Sequence, residues 1–211
     1  MIVIGTKERK QRELEERKTF IIEKSKELFF SRGFNNVSIQ DICEAIEYGR
    51  SAVYNLFSSK EEIYGHIYVE AVKILADLLN TIDIINTDST CTFEISTDKI
   101  FKFYSDYNPY YMALFFFDSN HVACTKIPEH IIEMKHKEKQ RAMIPIQRLL
   151  RKGIEEKIFL DFNVDHAINT YFISVLGIIN NSITQSPTGN SEDLRNTLME
   201  HAKIYERGLR K

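Results

Sequence analysis

The sequence predicts an all-α protein: a three-helix N-terminal part containing a helix-turn-helix, then a larger helical part, with about nine helices in all. Three observations carry this. Almost every segment repeats its apolar residues at helical spacing, and no run of four or more residues alternates as a half-buried strand would. The few prolines and glycines fall where helices start or stop, with Gly33, Pro109, Pro128, Gly153, Pro187 and Gly189 as punctuation. At 211 residues and 43% hydrophobic, the chain can bury the core of one large domain or two small ones. Residues 1–60, which hold the helix-turn-helix, are expected to form one domain and residues 61–211 a second, helical one.

The first helix is expected from Gln11 to Arg32, with Ile21, Ile22, Ser25, Leu28 and Phe29 on one stripe and Gly33 ending it in a left-handed conformation. Phe34 then turns back to the core. Ser38 is placed as an N-cap with Asp41 completing a capping box, and Ile39, Ile42 and Ile46 form the buried stripe of a short second helix. Glu47 to Gly49 make a tight turn. Gly49 caps a third short helix from Arg50 to Leu56, whose Val53 and Leu56 point inward together with Phe57. Ser58 and Glu61 are spaced as a capping pair for a long fourth helix that buries Ile63, Ile67, Val69, Ala71, Ile74 and Leu78.

Residues 81–97, rich in Thr, Asp, Ser and Asn, read as a loop or frayed end. An aromatic block from Phe101 to Phe117 follows, on two helices broken at Asn108 and Pro109. Pro128 opens a long helix to about Lys152, with a kink expected at Pro145. Two last helices, Val164 to Gln185 and Ser191 to Arg210, are separated by Ser186-Pro-Thr-Gly-Asn and carry apolar stripes that need a partner surface.

The formal net charge is -2, yet residues 1–60 hold eleven Lys and Arg against nine Asp and Glu. Lys7, Arg9, Lys10 and Arg12 face only Glu8, so this arm either lies along phosphates or is a frayed, solvated terminus. Cys43, Cys91 and Cys124 have no C-x-x-C spacing and read as reduced, structural thiols. No stretch approaches the roughly 18–20 apolar residues of a membrane span, and the N-terminus has no apolar signal region, so a cytoplasmic location is expected.

Residues Phe20 to Ile67 resemble the DNA-binding region of the TetR family of bacterial helix-turn-helix transcription regulators. The resemblance rests on Leu28-Phe29, Gly33-Phe34, the capping Ser38, Tyr54-Asn55-Leu56-Phe57 and Lys60-Glu61, in order and at the family's spacings. Beyond the first third of the chain, only the helical layout and the Gly153-Ile-Glu-Glu-Lys-Ile turn look like the family. The departures lie in the turn: Glu47 stands where a Gly is usual, and Leu56 replaces the usual His, removing a DNA contact that relatives make there. The resemblance implies a transcription regulator, acting as a repressor, that binds a palindromic operator in double-stranded DNA as a homodimer. An unknown small, apolar effector would release it.

In such a head, residues near the start of the recognition helix read base edges while hydroxyls and cations hold phosphates. Arg50 is the base-reading candidate, because a guanidinium bonds guanine O6 and N7 together; a solvated surface Arg is the rival reading. Ala52 can meet a thymine methyl, Asn55 an adenine or a phosphate, and Ser51 either. Tyr54 looks like the family's phosphate-contacting Tyr, with core packing as its rival. Lys60 sits at a helix start where charge and free N–H groups converge on the DNA backbone. Ser38 either bonds a phosphate or is purely a cap.

The resemblance further implies a ligand cavity lined by the aromatic block, for which Phe101, Tyr104, Tyr107, Tyr111 and Phe115, together with Phe172 of the later Val164–Gln185 helix, are candidates, although core packing explains such a cluster equally well. It implies dimerisation through the last two helices, with Ile168, Phe172, Val175, Ile179, Leu194, Leu198, Ala202 and Tyr205 as candidate interface residues; the alternative is that both stripes face the chain's own core. No cofactor is implied. His121, Cys124, His130 and His136 match no standard metal-site spacing, and no nucleophile triad, phosphate loop or H-E-x-x-H motif indicates an enzyme. A helical small-molecule carrier and a ligand-independent architectural DNA-binding protein are the alternatives.

Overall fold

The computed structural model describes residues 6–119, 125–185 and 191–211. Nine α-helices are present among them: α1 (Thr6–Arg32), α2 (Ile39–Ile46), α3 (Arg50–Tyr54), α4 (Lys60–Leu79), α5 (Thr92–Asp106), α6 (Asn108–Ser119), α7 (Glu129–Glu155), α8 (Val164–Gln185) and α9 (Ser191–Leu209). The only extended pairing among the described residues is a short antiparallel contact of Phe159 with Arg210. No described helix is long and apolar enough to cross a membrane. The chain divides into two compact units, one of residues 1–71 and 109–136, the other of residues 72–108 and 137–211.

In the first unit, α1 begins five residues earlier than its apolar stripe suggests. Its basic first turns are helical because Arg9 and Arg12 pair with Glu13 and Glu16 one turn on, at 3.0 and 2.9 Å. The arm is therefore helical and exposed rather than frayed from Thr6 onward. Gly33 ends α1 with a positive φ of 77°, but its ψ of 154° is not left-handed helical, so the chain leaves extended toward Phe34.

The core of this unit is a cluster of rings. Phe29, Phe34 and Tyr64 meet with centroids 4.9–5.7 Å apart, and Phe116 and Phe117 of α6 close over Tyr64 at 5.7 and 5.8 Å. Part of the aromatic block is thus core of the N-terminal head. A polar contact holds the same elements together. Lys26 binds Glu70 at 3.1 Å, and the Tyr110 hydroxyl donates to Glu70 at 2.7 Å. Burial opposes the charge on Lys26, but hydrogen bonds to Glu23, Tyr110 and Glu70 outweigh it and push its pKa upward.

In the second unit, residues expected as loop are helical from Thr92. The hydroxyls that suggested a loop are buried and bonded: Thr92 donates to the Ser89 carbonyl just before the helix at 2.7 Å, Ser96 donates to the Thr92 carbonyl within it at 2.6 Å, and Thr97 meets the Tyr171 hydroxyl of α8. α9 packs along α5 and against α8. Between them lie Phe93, Tyr171, His201 and Tyr205, with the His201 ring stacked on Tyr171 at 5.3 Å. Glu206 is 1% exposed; one oxygen accepts from the Phe93 amide at 3.2 Å, and the other has no partner among the described residues.

Gly153 is not the residue that ends α7. A Cβ there would stand 2.5 Å from the Phe159 ring, so glycine is needed for close approach, while Lys157 supplies the positive φ of 61° after the helix. Pro145 lies inside α7. Pro187 and Gly189 lie outside the described residues.

Candidate nucleic-acid interface

The helix-turn-helix is assembled by local rules. Ser38 caps α2 through a complete capping box: its hydroxyl accepts from the Asp41 amide at 3.2 Å, and its own amide donates to Asp41 at 2.7 Å. The Ser38 hydroxyl, which also donates to the Asp41 carboxylate, and the Ser38 amide, with the nearby Arg32, hold that carboxyl below the usual range. Ile42, Cys43 and Ile46 fill the inner face of α2, and burial, the main influence, raises the Cys43 thiol pKa, so this cysteine is a packing residue. Glu47 then takes the left-handed conformation, φ 57° and ψ 34°, that a glycine would adopt without strain.

Tyr48 and Gly49 lead into α3. Val53 and Phe57 are buried, at 0% and 2% exposure, and Leu56 is half-buried, so one side of the recognition helix is fixed to the core. The other side is open. Arg50, Ser51, Tyr54 and Asn55 are exposed and Ala52 is half-buried. Tyr54 is 53% exposed, which removes core packing as its role. Exposed Ser38, at the start of α2, keeps a cap while remaining accessible.

Two features were not legible as such. Arg50 donates through Nε to the Gln40 side chain at 2.6 Å, so a residue of α2 steers the guanidinium. Lys60 turns inward: its Nζ donates to the carbonyls of Phe34 at 3.0 Å and Val37 at 2.8 Å and lies 4.3 Å from the Phe34 ring centroid. The expected phosphate-facing lysine therefore ties the start of α4 to the link between α1 and α2. The cap of α4 is also shifted by one residue from the Ser58–Glu61 pairing. Ser59 accepts from the Glu62 amide at 3.1 Å, and Glu62 accepts from the Ser58 amide and hydroxyl, both at 2.7 Å.

The candidate pocket residues are divided between the units. Tyr111, fully buried, and half-buried Phe115 belong to the first. Phe101, Tyr104 and Phe172, half-buried, and Tyr107, 37% exposed, belong to the second. Within that second set, Phe101 and Tyr104 are neighbours at 6.1 Å.

Of the candidate interface residues, Ile168, Val175, Ile179, Leu194, Leu198 and Ala202 are buried within one chain. They are core residues of α8 and α9, because the apolar stripe is satisfied by the helices' own neighbours. Phe172 and Tyr205 are half-buried, and the Tyr205 hydroxyl donates to the Ala167 carbonyl at 2.9 Å. Of the histidines and cysteine weighed as metal ligands, His130 and His136 are exposed, while His121 and Cys124 lie outside the described residues.

Residues 21–67 match the model of the tetR family of bacterial regulatory proteins. Solved structures extend the similarity to the whole fold. The TetR family transcriptional regulator PfmR of Thermus thermophilus superposes with a TM-score of 0.63 at 18% identity, over 99% of this chain and 100% of that one. A TetR-family regulator from Mesorhizobium loti gives 0.69 at 13% identity, over 94% and 98%. One from a Shewanella species gives 0.64 at 15% identity, over 92% and 98%. No protein of curated function matches the chain by sequence. Residues 21–67 are thus a tetR-family regulatory domain, and the chain that carries it has the fold of the TetR regulators.

Proposed function

We propose that this chain is a TetR-type transcriptional repressor that binds a palindromic operator as a homodimer and is released by a small, apolar effector. The observation that carries the DNA-binding reading is the recognition helix itself. Its inner side is anchored by Val53 and Phe57, while Arg50, Ser51, Tyr54 and Asn55 project to solvent behind a well-capped supporting helix. Arg50 reads a base; Ser38, Ser51 and Tyr54 hold phosphates; Ala52 and Asn55 complete the groove contacts. Such a protein acts in the cytoplasm and needs no catalytic chemistry.

The homodimer is supported by the outward face of α8 and α9. Ile173 is 63% and Ile204 61% exposed, and each is followed four residues on by an exposed glycine, Gly177 or Gly208, beside which an added Cβ meets nothing within 4 Å. A second copy brought two-fold against this face would cover the isoleucines and use the glycines for close approach. The effector reading is supported by the half-accessible rings Phe101, Tyr104 and Phe172, whose apolar faces suit an apolar guest.

Selection of bound fragments from random duplex DNA tests the central reading. A palindromic motif, blurred for Arg50→Ala, is the expected result, with a dimeric mass by light scattering. Absence of any motif across salt concentrations would leave the helical carrier as the better reading. A thermal-shift screen with apolar compounds separates a sensor from an architectural DNA-binding protein.

A further inference from the structure

The strongest unassigned cluster of side chains lies in the first unit, behind the helix-turn-helix. Glu62 and His66 stand one turn apart on α4 and share a face. Between them is Gly65, where a Cβ would stand 2.9 Å from Cγ2 of Ile131 and 3.2 Å from Cγ2 of Ile127. Glycine thus lets the start of α7 lie directly against this face of α4. That approach brings His130, distant from His66 in sequence, to the same spot. Its Nε2 is 3.9 Å from Glu62 Oε1, and the two imidazole rings are 6.1 Å apart.

We propose that Glu62, His66 and His130 form a binding site for a divalent transition-metal ion. One potential ligand atom from each lies within 4.8 Å of the other two. Glu62 is 8% exposed and already oriented: Oε2 accepts both bonds from Ser58, at 2.7 Å each, and Oε1 is left toward the histidines. A hydrogen-bonded carboxylate held in one direction is the usual support of a metal ligand. Two imidazoles and one carboxylate suit zinc, cobalt, nickel or ferrous iron, whereas magnesium and calcium prefer an all-oxygen set.

Metal–ligand bonds of about 2.0–2.2 Å put neighbouring ligand atoms of a tetrahedron roughly 3.3–3.6 Å apart. The His130 side chain, 55% exposed, has room to make that small inward turn. Three protein ligands leave a coordination position open for water or a small ligand. Through Ser58 the site is joined to the residues that immediately follow the recognition helix. The site stands on its own geometry and does not depend on the DNA-binding reading.

The test uses the full chain, stripped with chelator and titrated with cobalt. One cobalt ion per chain, visible as d–d absorption and displaced by zinc, is expected. His66→Gln and His130→Gln should each weaken binding by at least about tenfold, with helical melting curves showing that the variants remain folded. His130→Gln changes an exposed side chain and carries the test if His66→Gln fails to fold. A combined His121→Gln, Cys124→Ser, His136→Gln variant should bind as the parent does. Absence of cobalt binding, or binding that survives His130→Gln and is lost in the combined variant, would overturn the assignment.

Discussion

Arg50 and Gln40 are joined side chain to side chain at 2.6 Å, linking the first residue of the recognition helix to the helix that supports it. The bond uses Nε of Arg50 and does not engage the two terminal nitrogens of the guanidinium. A long, flexible side chain is thereby given a preferred direction, which the proposed base contact would use.

Arg50→Ala is expected to cost about 1–3 kcal/mol of discrimination at one base position of the operator. Gln40→Ala should affect the same position by a smaller amount, and the double variant should lose less than the sum of the two. Binding of the three variants to a panel of singly substituted duplexes checks this. Losses at unrelated positions would show that Gln40 does not act through Arg50.

Lys60 is expected to behave as a structural residue. Its ammonium bonds two carbonyls and covers the Phe34 ring, so Lys60→Ala leaves the Phe34 and Val37 carbonyls without that donor. The cost should be about 1–3 kcal/mol, seen as a fall of several degrees in melting temperature. The salt dependence of DNA affinity should stay unchanged below the melting range. A slope reduced by about one unit with unaltered melting would instead make Lys60 a phosphate contact.

Glu47 occupies a left-handed position at which a side chain costs roughly 1–2 kcal/mol. Glu47→Gly removes that strain but gives the unfolded chain more freedom, so the net gain should be under about 1 kcal/mol. Chemical denaturation of the pair measures it. If Glu47→Gly destabilises the protein, the glutamate makes a compensating interaction.

Sequence reading succeeded where structure is local. The Ser38–Asp41 box, the extent of α2 and the inward turn of Val53 and Phe57 follow from spacings of a few residues. It fell short where a residue's partner is distant. Periodicity shows that Ile168, Val175 and Leu198 lie on buried stripes, but not whether the covering surface belongs to the same chain. Likewise, Phe116 and Phe117 advertise an aromatic cluster without revealing that Phe34 and Tyr64 complete it. Lys60 reads as a surface cation until the Phe34 and Val37 carbonyls are seen beside it.

Glu206 makes stability depend on pH. Burial raises its pKa from the ordinary 4.5 to about 7, against the lowering effects of the Phe93 amide and Arg210. The folded chain therefore holds this proton over a range in which the unfolded chain has released it. The resulting stabilisation is complete below about 4.5 and is lost as pH rises through about 7. Glu206→Gln keeps an oxygen for the Phe93 amide and removes the titration. Its melting temperature should be close to the parent's at about pH 5 and a few degrees higher at about pH 8. Melting curves of the two proteins across this range test the assignment; a constant difference between them would mean that Glu206 does not carry the proton.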